Sequence, residues 1–127
     1  MSMEIATRLS DQIARYLDLA TAEARLTASN MANIDTPGYR AVGMDFEAEM
    51  RQAIREVDQG DAEPGRAARS PRIRAVDGLI ARPDGNDVSM DRESLNLAEA
   101  QLKFKTGVAL LRQQYQTILD AIHAADK

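Results

Sequence analysis

Cysteine and tryptophan are absent from the 127 residues, histidine occurs once, and aromatic side chains make up 4% of the chain. Without cysteine there is no disulfide framework, no thiolate nucleophile and no cysteine-based metal site. Large apolar residues are also scarce. Leu, Ile, Val and Phe together number 26, against 21 alanines. Alanine favours helix and close backbone approach but buries little area. About a fifth of the chain therefore carries the burden of a core, which is near the level at which chains fail to fold alone. Positive charge is outnumbered, with 16 Lys and Arg against 20 Asp and Glu, for a net charge of −4. That balance argues against a general nucleic-acid binder. No apolar run is long enough to span a membrane. Met1, Ser2, Met3, Glu4 and Ile5 form no basic segment followed by an apolar stretch, so no cleaved secretory signal is expected.

What is present is helical periodicity at both ends. Residues 3–33 contain neither Gly nor Pro. Leu9, Ile13, Tyr16, Leu17, Ala20, Ala24, Thr27 and Met31 recur at intervals near three and four, which predicts one apolar side of a long helix. Pro37 and Gly38 end it, and their pairing fits the centre of a type II turn. Residues 91–125 give the strongest pattern. Leu97, Gln101, Phe104, Val108, Leu111, Tyr115, Ile118 and Ile122 alternate four and three apart, as in a coiled-coil seam. Gln101 is its polar exception, and Gly107 reads as a close-packing point rather than a break.

The middle differs. Residues 45–57 predict a short amphipathic helix, with Phe46, Met50, Ala53, Ile54 and Val57 near one face. Residues 58–71 read as a loop, and 72–81 as a hairpin or two extended pieces around Asp77 and Gly78. The expected fold is mainly α. Long N- and C-terminal helices form an antiparallel coiled-coil-like pair, and the irregular middle holds a short helix and a small β-hairpin. The segments 1–34, 35–90 and 91–127 are expected to form one structural unit.

Reactive chemistry is thinly represented. His123 lies between Asp120 and Asp126 with no identifiable nucleophile, so it reads as a surface or packing residue. Asp84, Asp87 and Asp91 lack the ligand spacing of a calcium loop and read as turn and capping residues. Arg66, Arg69, Arg72 and Arg74 form the one local basic cluster, and without interleaved aromatics it reads as a solvated or protein-contacting loop. No catalytic residue, metal site or cofactor is expected. The remaining distinctive string runs from Ser29 to Tyr39. Asn30 and Asn33, three apart on one helix side, either cap the helix locally or bond to neighbouring subunits. Tyr39 joins apolar contact to one hydrogen bond.

That string, with Asn30, Ala32 and Asn33, then Thr36, Pro37, Gly38 and Tyr39, resembles the N-terminal signature of bacterial flagellar axial proteins. The short length and the segment from Gly85 to Glu93 are most similar to a small proximal-rod member of that family. The resemblance implies a non-enzymatic proximal rod subunit of the flagellar basal body, in the periplasmic region. It also implies export through the flagellar type III apparatus without a cleaved signal. The implied partners are other proximal rod proteins, the rod-to-ring adaptor, and the export gate or membrane-ring base, in a helical heteromeric assembly. There Leu9, Ile13, Tyr16 and Ala20 would pack on a C-terminal seam of Leu97, Phe104, Val108, Leu111, Tyr115, Ile118 and Ile122. Asn30, Asn33, Thr36, Pro37, Gly38 and Tyr39 would fix the turn and its contacts. The alternatives are another small proximal-rod protein, or a soluble helical chaperone or scaffold.

Overall fold

The computed structural model describes residues 2–60 and 69–126. Three helices and two short strands follow in the order α1 (Ser2–Ala32), β1 (Val42–Gly43), α2 (Phe46–Asp58), β2 (Arg74–Ala75) and α3 (Met90–Ala125). Helix α1 runs unbroken through the Gly- and Pro-free segment, a length of about 45 Å at 1.5 Å per residue. It ends where the sequence predicts. Asn33 N–H bonds to Ser29 O, and its side-chain amide donates to the same carbonyl at 2.8 Å. The chain then turns through Thr36 to Tyr39, where Tyr39 N–H donates to Thr36 O at 3.2 Å. Gly38 occupies the third turn position at φ +74°, a conformation that costs glycine nothing.

Helix α2 starts at Asp45, whose carboxylate accepts from Ala48 N–H at 3.1 Å, and Glu47 and Glu49 suit its positive end. Helix α3 starts in the same way at Ser89, with Asp91 and Glu93 in its first turn. The strands pair antiparallel, Val42 with Ala75 and Gly43 with Arg74. The extended piece within 72–81 thus pairs across α2 with the segment after the Pro-Gly turn, and not with its own neighbour. Part of the expected 58–71 loop, including Arg66, lies outside the described residues.

Helices α1 and α3 lie antiparallel along most of their length. Asn30 reaches Glu93 at 3.1 Å, Lys103 pairs with Glu23 at 2.9 Å, and Gln114 donates to Ala6 O at 3.2 Å. Gly107 marks a close approach. A Cβ built there would stand 2.6 Å from Leu17 Cδ2 and 3.1 Å from Tyr16 Cδ1. A larger residue there would make the Leu17 and Tyr16 side chains give way. Helix α2 caps one side of the pair through Phe46, which meets Tyr16 edge-on at 5.5 Å and lies under the Lys103 ammonium at 4.0 Å.

The apolar core is thin. Its buried members are Ile13, Leu19, Ala20, Ala41, Val57, Val88 and Ala100. The largest fully hidden side chains are not apolar at all: they are Glu93, Asn30 and Asn86.

Candidate functional site

Burying a polar side chain costs free energy unless hydrogen bonds replace its water. Three such residues at the deepest points therefore mark a built feature. They cluster where the end of α1, strand β1, the loop 82–88 and the start of α3 converge.

Asn30 uses its whole side chain there. Its amide nitrogen donates to Val42 O at 2.8 Å and to Glu93 Oε2 at 3.1 Å. Its oxygen accepts from Val42 N–H at 3.0 Å and from Tyr39 O–H at 3.1 Å. One side chain thus ties α1 to β1, to the tyrosine after the turn and to α3. Four bonds are the full complement of a primary amide.

Asn86, at 0% exposure, does the same for the turn. Its amide nitrogen lies 2.9 Å from each of the Asn33, Ile34 and Thr36 carbonyl oxygens. These are carbonyls that the end of α1 leaves without helical partners. Its side-chain oxygen accepts from Val88 N–H at 2.8 Å. Beside it the Asp87 carboxylate accepts from Ala41 N–H at 2.6 Å, while Arg40 Nε stands 3.7 Å away. Gly38 N–H donates to Asp84 O at 2.8 Å, and the Arg82 guanidinium donates to Val88 O at 3.0 Å and to Ile34 O. Thr36 O–H donates to Asn33 Oδ1 at 3.1 Å. Among the described residues no buried side-chain nitrogen or oxygen lacks a partner.

The two sequence segments that carry the axial-protein resemblance, Asn30 to Tyr39 and Gly85 to Glu93, are therefore two halves of one junction. Asn30 and Asn33 are both committed within the chain: Asn33 caps locally, and Asn30 bridges distant segments. Pro37 is exposed at the turn, next to Gly38. Asn86, Asp87 and Glu93 were legible in sequence only as turn and capping residues. Glu93 did carry one further signal. It stands seven residues before Ala100 and fourteen before Gly107, on the row of α3 that faces α1.

The helix pair brings together part of the predicted seam. Ile13 and Ala20 are buried, and Tyr16, Leu97, Val108, Leu111 and Ile118 are half-buried. Leu9 is exposed, as are Phe104 at 44%, Tyr115 at 54% and Ile122 at 45%. The row of α3 nearest α1 runs through Ala100, Gly107 and Gln114, one position round from Gln101, Val108 and Tyr115. Small residues take the inside, and much of the bulk faces out.

The other candidates have different surroundings. His123, Asp120 and Asp126 are all exposed at the end of α3. Asp84 and Asp87 are occupied as acceptors of backbone N–H groups. Arg69, Arg72 and Arg74 are exposed, and the Arg72 backbone N–H donates to Glu49 at 3.1 Å. No helix among the described residues is long and apolar enough to cross a membrane.

No protein-family model matches this chain. Individual proteins do. A flagellar basal body rod protein FlgB of Salmonella typhimurium (strain LT2) is 33% identical over 123 residues, covering 87% of this chain and 89% of that protein. A protein of the same name from Cereibacter sphaeroides is 34% identical over 124 residues, covering 91% of this chain and 97% of the relative. Another from Yersinia enterocolitica is 28% identical over 122 residues, covering 84% and 87%. With a third of its residues shared across nearly the full length of such relatives, and with both halves of the polar junction in place, this chain belongs to the FlgB family of flagellar basal body rod proteins.

Proposed function

We propose that this chain is a structural subunit of the proximal rod of the bacterial flagellar basal body. The observation that carries the reading is the 33–34% identity, over about nine-tenths of the chain, to proteins named for that rod. The physical features agree with it. Two long helices are held in fixed register by a polar junction, and large apolar side chains of α3 stay uncovered. Such a subunit completes its core against neighbours. The segments 1–34, 35–90 and 91–127 act as one structural unit in this role.

In the assembly, the chain contributes to the shaft that transmits torque and to the wall of the export channel. Its neighbours are other proximal rod proteins, the rod-to-ring adaptor, and the export gate or membrane-ring base. It reaches the periplasmic region through the flagellar export apparatus without a cleaved signal. No residue is assigned a catalytic step. Leu9, Ile13, Tyr16, Ala20 and the α3 row from Leu97 to Ile122 serve helix and subunit packing, and Asn30 to Tyr39 shape the corner.

Complementation tests the proposal. In a strain lacking its own copy, the wild-type chain restores swimming and co-purifies with isolated basal bodies. Leu111→Asp, which buries a charge on the helix seam, abolishes both. Recovery of the wild-type chain only in the soluble cytoplasmic fraction would point to the chaperone alternative instead.

A further inference from the structure

Strand β2 leaves one edge open. Val42 faces Ala75 and Gly43 faces Arg74 in the two-stranded ladder, and Val76 N–H donates to Ala41 O at 2.9 Å. In an antiparallel pair, successive residues turn their backbone groups alternately toward the partner strand and away from it. Arg74 and Val76 therefore address β1, while Ile73 and Ala75 turn their N–H and C=O groups to the other side. Among the described residues, β2 packs on no element but β1. The nearest side-chain bond, from Arg72 N–H to Glu49, stops one residue short of this edge. Arg74 and Ala75 are exposed, and Ile73 is 56% exposed. Unpaired donors and acceptors in a row are a template for a further strand.

The flanking charge selects which strand. Side chains alternate across a sheet, so Arg72 and Arg74 share one face while Ile73 and Ala75 share the other. Arg69, Arg72 and Arg74 are exposed and enter none of the ion pairs among the described residues. Arg55 of α2 joins Arg69 and Arg72 around one hollow. Glu49 is the only carboxylate lining it, and Glu49 Oε1 already accepts the Arg72 N–H at 3.1 Å. Asp77 is exposed at the turn beyond the strand. A second copy of β2 on this edge would gather the arginines of both copies on one face, which is destabilising. The same arginines favour a strand that carries acid.

We infer that β2 accepts an extended, acidic segment of a neighbouring protein as a third strand. The side chains of that segment alternate, with Asp or Glu beside Arg72 and Arg74 and apolar residues beside Ile73 and Ala75. The inference rests on the rod reading above and names the chemistry of one neighbour of that subunit.

A photoreactive benzoylphenylalanine in place of Ile73 tests it. Cells are irradiated intact, basal bodies are isolated from them, and adducts from both are sequenced by mass spectrometry. The expected adduct lies in another protein, within a segment that alternates acidic and apolar residues. Ala75→Pro removes the outward N–H and none of the bonds to β1, and an edge position tolerates proline. It lowers the adduct yield about tenfold, the scale of one lost hydrogen bond, and Ala75→Val leaves the yield unchanged. Arg72→Glu/Arg74→Glu lowers it as far, while Arg72→Lys/Arg74→Lys keeps most of it. Yields are taken per chain recovered, so a variant that folds or assembles less does not imitate the effect. No adduct, an adduct to lipid, to a second copy of this chain or to a segment without acid, or a yield indifferent to Ala75→Pro overturns the inference. A chain missing from the basal bodies refutes the rod reading instead, and the adduct from intact cells still decides the strand.

Discussion

Replacing Asn86 by aspartate changes one atom and preserves shape, so it isolates the electrostatics of the polar junction. The amide nitrogen lies 2.9 Å from three carbonyl oxygens, while the side-chain oxygen accepts from Val88 N–H. Asn86→Asp keeps the acceptor for Val88. It also sets a second carboxylate oxygen where three lone-pair-bearing oxygens already converge. Protonation supplies one hydrogen where the amide supplied two, and ionisation buries a charge among like dipoles. Either route costs several kcal/mol, and about 3–5 kcal/mol is the scale for an uncompensated buried charge.

Asn86→Ala is the control, and it should be milder. The three carbonyls each keep another donor: Thr36 N–H for Asn33 O, the Arg82 guanidinium for Ile34 O, and Tyr39 N–H for Thr36 O. The alanine variant chiefly orphans Val88 N–H and leaves a small void, at about 2–3 kcal/mol. Urea unfolding followed by far-ultraviolet circular dichroism, with the slope checked for constancy, reads both values. The required order is wild type above alanine above aspartate. An aspartate variant as stable as the alanine variant would refute the donor geometry assigned to Asn86.

Asn30→Asp sets a carboxylate against Glu93, and Glu93→Gln in the same chain restores a donor between them. A double-mutant cycle by urea unfolding should return a favourable coupling of about 1 kcal/mol or more, and additive losses would sink the contact. Gly107→Ala gains about 1 kcal/mol of helix propensity but drives a methyl into Leu17, at a cost of about 1–3 kcal/mol. A net fall in thermal midpoint is expected, with part of it recovered by adding Leu17→Ala; a rise would mean the helices separate freely there.

The long helices were legible because their signal is local and repeated. A stretch from residue 3 to residue 33 without Gly or Pro, and a four-three spacing sustained from Leu97 to Ile122, leave few alternatives. Which side of α3 meets α1 was harder to read. Spacing of large apolar residues marks the seam Leu97, Gln101, Phe104, Val108, Leu111, Tyr115, Ile118 and Ile122, of which Leu97, Val108, Leu111 and Ile118 are half-buried. Close packing selects small ones, and the row through Ala100 and Gly107 lets the backbones approach. Gly107 was the visible hint, since a glycine inside a strong helix needs a reason. The two-residue strands left no periodic trace, and β2 found its partner on the far side of α2. The meeting of Asn86 with the turn after α1 was invisible for the same reason: hydrogen bonds spanning 50 or more residues are not encoded in local spacing.

The polar junction is better explained by register than by stability. Contacts between apolar rows are non-directional, and along the row of Ala100 and Gly107 only the fit of Gly107 against Leu17 and Tyr16 opposes sliding. A one-turn slip of α3 along α1, about 5.4 Å, would move Gly107 off Leu17 and bring Lys103 or Leu111 toward that contact. The same slip would separate Asn30 from Glu93 and pull Asn86 from the three carbonyls at once. Each of those groups is buried, so each would lose its partner without gaining water. A buried polar contact is a poor source of net stability but a strong penalty on every arrangement other than its own. The junction therefore does for this thin helix pair what a thick core does elsewhere. It selects one alignment of α1 and α3, and so fixes where the exposed side chains of α3 are presented to whatever covers them.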